Sequence, residues 1–167
     1  DYRESNAVYL TSASVSGIET VDIDGQPYYL RLLVDAEAWN AVADWKLDGN
    51  ESSPNYLYIL GDGSDVNFSA LTSDFNTHGQ SIYLKGEFGE VDLSQLTATV
   101  DSFQIDQVTS IVGSSTDDTV TVKNAVFDFS GGAGDDQLKI GDYYYWQNNS
   151  QITGRFDGGS GQDSLSF

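Results

Sequence analysis

The sequence predicts a mostly-β chain whose C-terminal part winds as a parallel β-roll or β-helix solenoid, with one helix inserted in its N-terminal part. Three observations carry this. Of the 26 acidic residues, 20 are Asp, and Asp favours turns where Glu favours helices. Short apolar runs of strand length recur along the chain, broken by Gly, Asp and Asn. Finally, a nine-residue phrase rich in Gly and Asp repeats at multiples of nine near the C-terminus.

The elements follow in chain order. Residues 15–23 read as a strand ending in the Asp24-Gly25 turn, and 28–34 as a second apolar run. Asp35 is placed to cap a helix over 35–46, with Ala36, Trp39, Val42, Ala43 and Trp45 as its apolar face. Both tryptophans are expected in the core, because that face must be buried. Residues 56–60 form a strand stopped by Gly61-Asp62-Gly63, and 81–88 alternate again. Residues 1–100 hold all six Glu, both Pro and His78, whereas 101–167 hold ten Asp and no Glu. We therefore divide the chain into an acidic mostly-β region, 1–100, and a repeat region, 101–167. The boundary is soft, because similar strand patterns lie on both sides.

Three segments carry the repeat. They begin at Gly113, Gly131 and Gly158. The second and third fit Gly-Gly-x-Gly-x-Asp-x-U-x at every specified position, where U is apolar. The first keeps Gly113, Asp118 and Val120 but has Ser114 and Thr116 where Gly is expected. The spacings are two and three nonapeptides. Since one turn of a roll takes two nonapeptides, loops 18 residues apart stack directly. The extra nine residues fit an insertion near 142–151. Three inward columns follow: Val120, Leu138 and Leu165; Val122, Ile140 and Phe167; Ile111, Phe129 and Phe156.

At these residues the chain resembles the repeats-in-toxin (RTX) family of secreted calcium-binding proteins. The motifs cover about 105–167. Residues 16–23 are loosely similar to strands of RTX-type surface-layer and adhesin proteins. The resemblance implies a right-handed parallel roll, Ca²⁺ between turns, and export to the outside of a bacterium by type I secretion. The chemistry of the residues agrees. Glycine accepts positive φ and close approach, which lets carbonyls face a cation. Calcium takes about 6–8 oxygens, more than one six-residue loop supplies, whereas two stacked loops suffice. One Ca²⁺ is expected between the 113 and 131 loops on Asp118 and Asp136. A second is expected between the 131 and 158 loops on Asp136 and Asp163. The metal-site residues are thus Gly113, Asp117, Asp118, Gly131, Gly132, Gly134, Asp135, Asp136, Gly158, Gly159, Gly161 and Asp163. Of these, Asp117 and Asp135 are either further ligands or solvated charges.

Other features are read more plainly. Residues 60–65 copy the motif in part, but Asn67 stands where an apolar residue belongs, so the segment is read as a plain turn. Residues 48–52 open like an EF-hand loop but lack its Gly and its terminal Glu. Tyr143, Tyr144, Tyr145 and Trp146 either bind a ligand such as a sugar ring, cover the solenoid, or contact a neighbour. His78 is the sole histidine and has no nucleophile motif around it. No phosphate-cradling loop or Gly-x-Ser-x-Gly elbow is present. No catalytic residue is expected.

The formal net charge of −19 excludes nucleic-acid binding, which needs a basic footprint. Without cysteine there is no disulfide framework or thiolate metal site. No apolar run reaches the roughly 20 residues of a membrane helix. The expected function is a calcium-stabilised structural or self-assembly domain of a large extracellular or cell-surface bacterial protein. Its partners would be copies of itself, neighbouring domains of the same chain, or glycans. The alternative is a carbohydrate-binding module of an extracellular polysaccharide-processing enzyme. An end directly after a repeat suggests that more chain follows Phe167.

Overall fold

The computed structural model describes residues 7–12, 15, 17–22, 31–47, 56–72, 81–98, 100–141 and 153–167, with 124–127 described by backbone alone. The strands are β1 (Ala7–Leu10), β2 (Thr20–Asp22), β3 (Arg31–Asp35), β4 (Asp44–Lys46), β5 (Tyr56–Asp62), β6 (Val66–Asn67), β7 (Ser81–Asp92), β8 (Ser102–Val112), β9 (Thr119–Ser130), β10 (Gln137–Ile140), β11 (Phe156–Asp157) and β12 (Ser164–Ser166). One helix, α1 (Ala36–Ala41), follows β3. All pairings are parallel, in the order β1-β3-β5-β7-β8-β9-β10-β12, and β2 pairs with β4. The chain is therefore a parallel β-solenoid of about five turns with one short helix. The sheet passes from β7 to β8 without a break at residue 100.

Alternation explains the strands. One column of inward side chains runs Leu10, Val34, Ile59, Leu84, Ile105, Val122 and Ile140, each paired with the next. On the second face Val66, Val91, Ile111, Phe129 and Phe156 form another. Most members are fully buried. Each such side chain contributes about 1.5–3 kcal/mol by leaving water. Two of the columns read from the sequence are present, Val120–Leu138–Leu165 and Ile111–Phe129–Phe156. In the third Val122 pairs with Ile140, but Phe167 lies past the end of β12 and is 82% exposed rather than inward. Leu165 is 43% exposed because no further turn covers β12 among the described residues.

Of the strand read over 15–23, only Thr20–Asp22 is strand among the described residues, and the chain turns where the Ile18 N–H donates to the Val15 carbonyl. Two further elements differ from the sequence reading. The helix is six residues long and does not reach 46; Val42 is extended, and β4 follows. Trp39 and Trp45 are six positions apart, which on a continuous helix would point them about 120° apart. Breaking the helix lets both enter the core, where their rings stack at 4.6 Å. Trp45 Nε1 donates to the Trp39 carbonyl, and Trp39 Nε1 to that of Asn67. Asp35 does cap the helix: its Oδ1 accepts the Ala38 N–H at 2.6 Å. Secondly, Gly61 does not end β5. It pairs with Gly86 at a corner where the sheet turns onto its second face. Gly86 has φ +101°, and a β-carbon there would press on the Gly61 carbonyl. Residues 48–52, 143–146, His78 and the insertion over 142–151 lie outside the described residues, wholly or in most of their length.

Candidate metal centre

The three repeat loops stack as their spacing predicts. The 113 loop joins β8 to β9, the 131 loop joins β9 to β10, and the 158 loop joins β11 to β12. Backbone bonds tie each loop to the next: Gly113 N–H to the Ser130 carbonyl, Gly131 N–H to that of Asp157, and Ala133 N–H to that of Ser114. Glycine is required where these layers touch. A β-carbon on Gly131 would overlap both the Gly158 carbonyl and the Asp136 carboxylate. Gly134 has φ +121° and lies against the Thr116 and Asp117 backbone.

The sixth-position aspartates form an inner column. Asp136 Oδ1 accepts the Asp118 N–H at 2.9 Å, and Asp163 Oδ1 accepts the Asp136 N–H at 3.1 Å. An outer column runs beside it: Asp117 accepts the Asp135 N–H, and Asp135 accepts the Gln162 N–H. The outer pair is exposed and the inner pair buried, with Asp118 5% and Asp136 1% accessible. Asp163 is exposed.

Asp118 and Asp136 are satisfied differently. Ser114 donates its N–H to Asp118 Oδ2 at 2.6 Å and its hydroxyl to Oδ1 at 3.2 Å. Asp136 Oδ2 is buried and has no hydrogen-bond partner among the described residues. This orphan oxygen and the Gly158 carbonyl both face the space left by the missing side chain of Gly131. Leaving a buried charged acceptor unpaired costs at least about 1–3 kcal/mol.

The electrostatics point the same way. Burial pushes the Asp118 carboxyl up to about 6, aided by the nearby charges of Asp136 and Asp117 and opposed by the Ser114 donors. Burial also raises Asp136, and Asp163, Asp117 and Asp135 add to it against the Asp118 N–H. The column thus holds like charges in a poorly solvated place, with no basic side chain paired to it among the described residues. Among the described residues no three acidic or histidine side chains converge on one point. A cation here would take most of its ligands from carbonyls, which suits calcium.

Sequence reasoning saw Ser114 only as a lost glycine. Its role as a double donor to Asp118 could have been read from a hydroxyl four residues before a turn aspartate. The partial copy at 60–65 behaves differently. Asp62 Oδ1 accepts the Ser64 N–H and hydroxyl, which hold its carboxyl below the usual range, and Asp65 Oδ1 accepts the Glu90 N–H. No protein-family profile, curated protein or solved structure matches the chain. The RTX resemblance therefore rests on the motifs alone.

Proposed function

We propose that this chain is a non-catalytic, calcium-stabilised structural or self-assembly domain of a secreted or cell-surface bacterial protein. The observation that carries the reading is Asp136 Oδ2, buried and unpartnered beside the Gly158 carbonyl. Calcium between the 131 and 158 loops would take Asp136, Asp163 and loop carbonyls. The space between the 113 and 131 loops is the weaker site, because Ser114 already occupies the oxygens of Asp118. Ion binding would then become folding free energy. In the low calcium of a cytosol the roll would stay frustrated by its own aspartates, and outside the cell it would close.

The test is thermal melting of wild type and Asp136→Asn with chelator and with millimolar calcium. The asparagine removes the buried charge but keeps the shape. It should melt higher than wild type in chelator and gain little from calcium. An equal calcium response in both proteins, or none in wild type, would overturn the proposal.

A further inference from the structure

The outward positions of the first sheet face carry a second, unrelated pattern. Along the strands that build it, Tyr58 pairs with Tyr83, Tyr83 with Gln104, Gln104 with Thr121, and Thr121 with Lys139. Tyr58 and Tyr83 stack at 5.0 Å, and Tyr56 stacks on Tyr58 at 6.5 Å. All three rings are half-buried, so each keeps some ring surface in solvent. Lys85 lies 5.5 Å from the centre of the Tyr83 ring.

The charges of this face oppose those of the chain. Four of the seven basic residues stand on it: Arg31, Lys85, Lys123 and Lys139. Among the described residues two acids do, Asp35 and Asp106. The described residues of the face thus carry 4 − 2 = +2, whereas the full chain carries −19. Both acids are already engaged. Asp35 caps the helix. Asp106 lies 3.5 Å from Lys85 and 3.1 Å from Lys123, which places two ammonium groups beside it. Burial and the Lys123 neighbour hold Lys85 below the usual lysine range, against the raising effect of Asp106. Beyond the corner the second half of β7 carries Glu87, Glu90 and Asp92 and no base.

We infer that this face is a docking surface for an extended anionic polysaccharide, one that bears carboxylates along its length. The surface is periodic along one axis, with strands about 4.8 Å apart, as a polymer is. Tyrosine rings offer apolar contact and a hydroxyl each. Gln104 and Thr121 continue the row with hydrogen-bonding groups, and the lysines and Arg31 meet the negative charge. This site is separate from the aspartate column and does not depend on the calcium reading.

Calorimetric titration with a galacturonate hexamer in millimolar calcium tests the inference, with a neutral maltohexaose as the control ligand. Wild type should bind the charged hexamer, more weakly as salt rises, and ignore the neutral one. The double variant Lys85→Ala/Lys123→Ala should lose about tenfold in affinity or more. Tyr83→Phe, which keeps the ring, should lose less than Tyr83→Ala. Glu87→Gln, on the second face, should bind as wild type, and circular dichroism checks that every variant is folded. Equal binding by the double variant, equal binding of the neutral hexamer, or no binding of the charged one would overturn the inference. So would salt-sensitive self-association by light scattering that the double variant abolishes, without hexamer binding; that result would assign the face to a second copy.

Discussion

The turns at the two ends of the solenoid differ in width. Ala7 pairs with Arg31 and Arg31 with Tyr56, offsets of 24 and 25 residues. Ser81 pairs with Ser102, an offset of 21, while Phe103 pairs with Val120 and Thr119 with Gln137, offsets of 17 and 18. A wide turn has room inside for Trp39, Trp45 and Phe68, which pack together and reach Phe103. A narrow turn encloses little beyond one inward residue per strand position. Its corners are Gly-Asp loops, and there the buried group is a carboxylate rather than a ring. One sheet is thus built in two ways: around a large apolar volume at the N-terminal end, and around thin apolar columns flanked by loops that bury aspartates at the C-terminal end.

The largest effect should come from breaking the wide end. Trp39→Ala removes both a ring stack and a fully buried side chain, and such truncations cost about 3–5 kcal/mol. Urea unfolding followed by fluorescence of the remaining tryptophans should show the loss with chelator and with calcium alike. A loss seen only in chelator would mean that the two ends are not held independently.

Calcium should act on the other end. At calcium about 100-fold above its dissociation constant, one site adds about 2.7 kcal/mol, or roughly 5–10 °C in Tm for a chain of this size. Hydrogen exchange should locate the gain in β9, β10 and β12, with β3, β5 and β7 protected whether or not chelator is present. Uniform protection under both conditions would erase the proposed division.

Within the narrow turns, Asp136 touches both loop interfaces and Asp118 only one. Calcium affinity measured by calorimetry should therefore fall about tenfold or more for Asp136→Ala, and by less for Asp118→Ala. Equal losses would mean that both aspartates serve a single site.

The smallest effect is that of pH on the metal-free protein. The Asp118 carboxyl titrates near 6 in the fold, above its ordinary 3.8. The folded state therefore holds a proton that the unfolded chain has lost between those values. Its contribution to stability is complete below about 3.8 and disappears as pH rises through about 6. In chelator, Tm should rise as pH falls from 7 to 5, and Asp118→Asn should flatten that rise. A slope unchanged by the substitution would assign it to the general charge of the chain.

Much of the narrow end was legible in the sequence. Two full nonapeptide motifs and their spacing place Val120 under Leu138 and Gly113 under Gly131, because a strict period leaves one register that buries every apolar residue. At the wide end the strands were legible from alternation, but their stacking was not. Offsets of 24, 25 and 21 share no period, and no loop motif marks the layers. The end of α1 was hidden for a related reason: the apolar pattern from Ala36 to Trp45 also fits a helix that breaks so that its two tryptophans can stack. The mixed face was hidden as well. Tyr58 and Lys139 are far apart in the chain, and only the register puts them in one row.

By itself, then, the sequence determined the composition of the corners: which turns would be built from Gly and Asp, and which apolar residues would follow them inward. Those are properties of neighbouring residues, set by backbone freedom and by the two-residue period of a strand. Tertiary structure alone decided which oxygen of which aspartate is left unpartnered. It also gathered four scattered bases onto one face of an acidic chain. Both depend on contacts between turns, and winding creates those contacts only when every layer is in place.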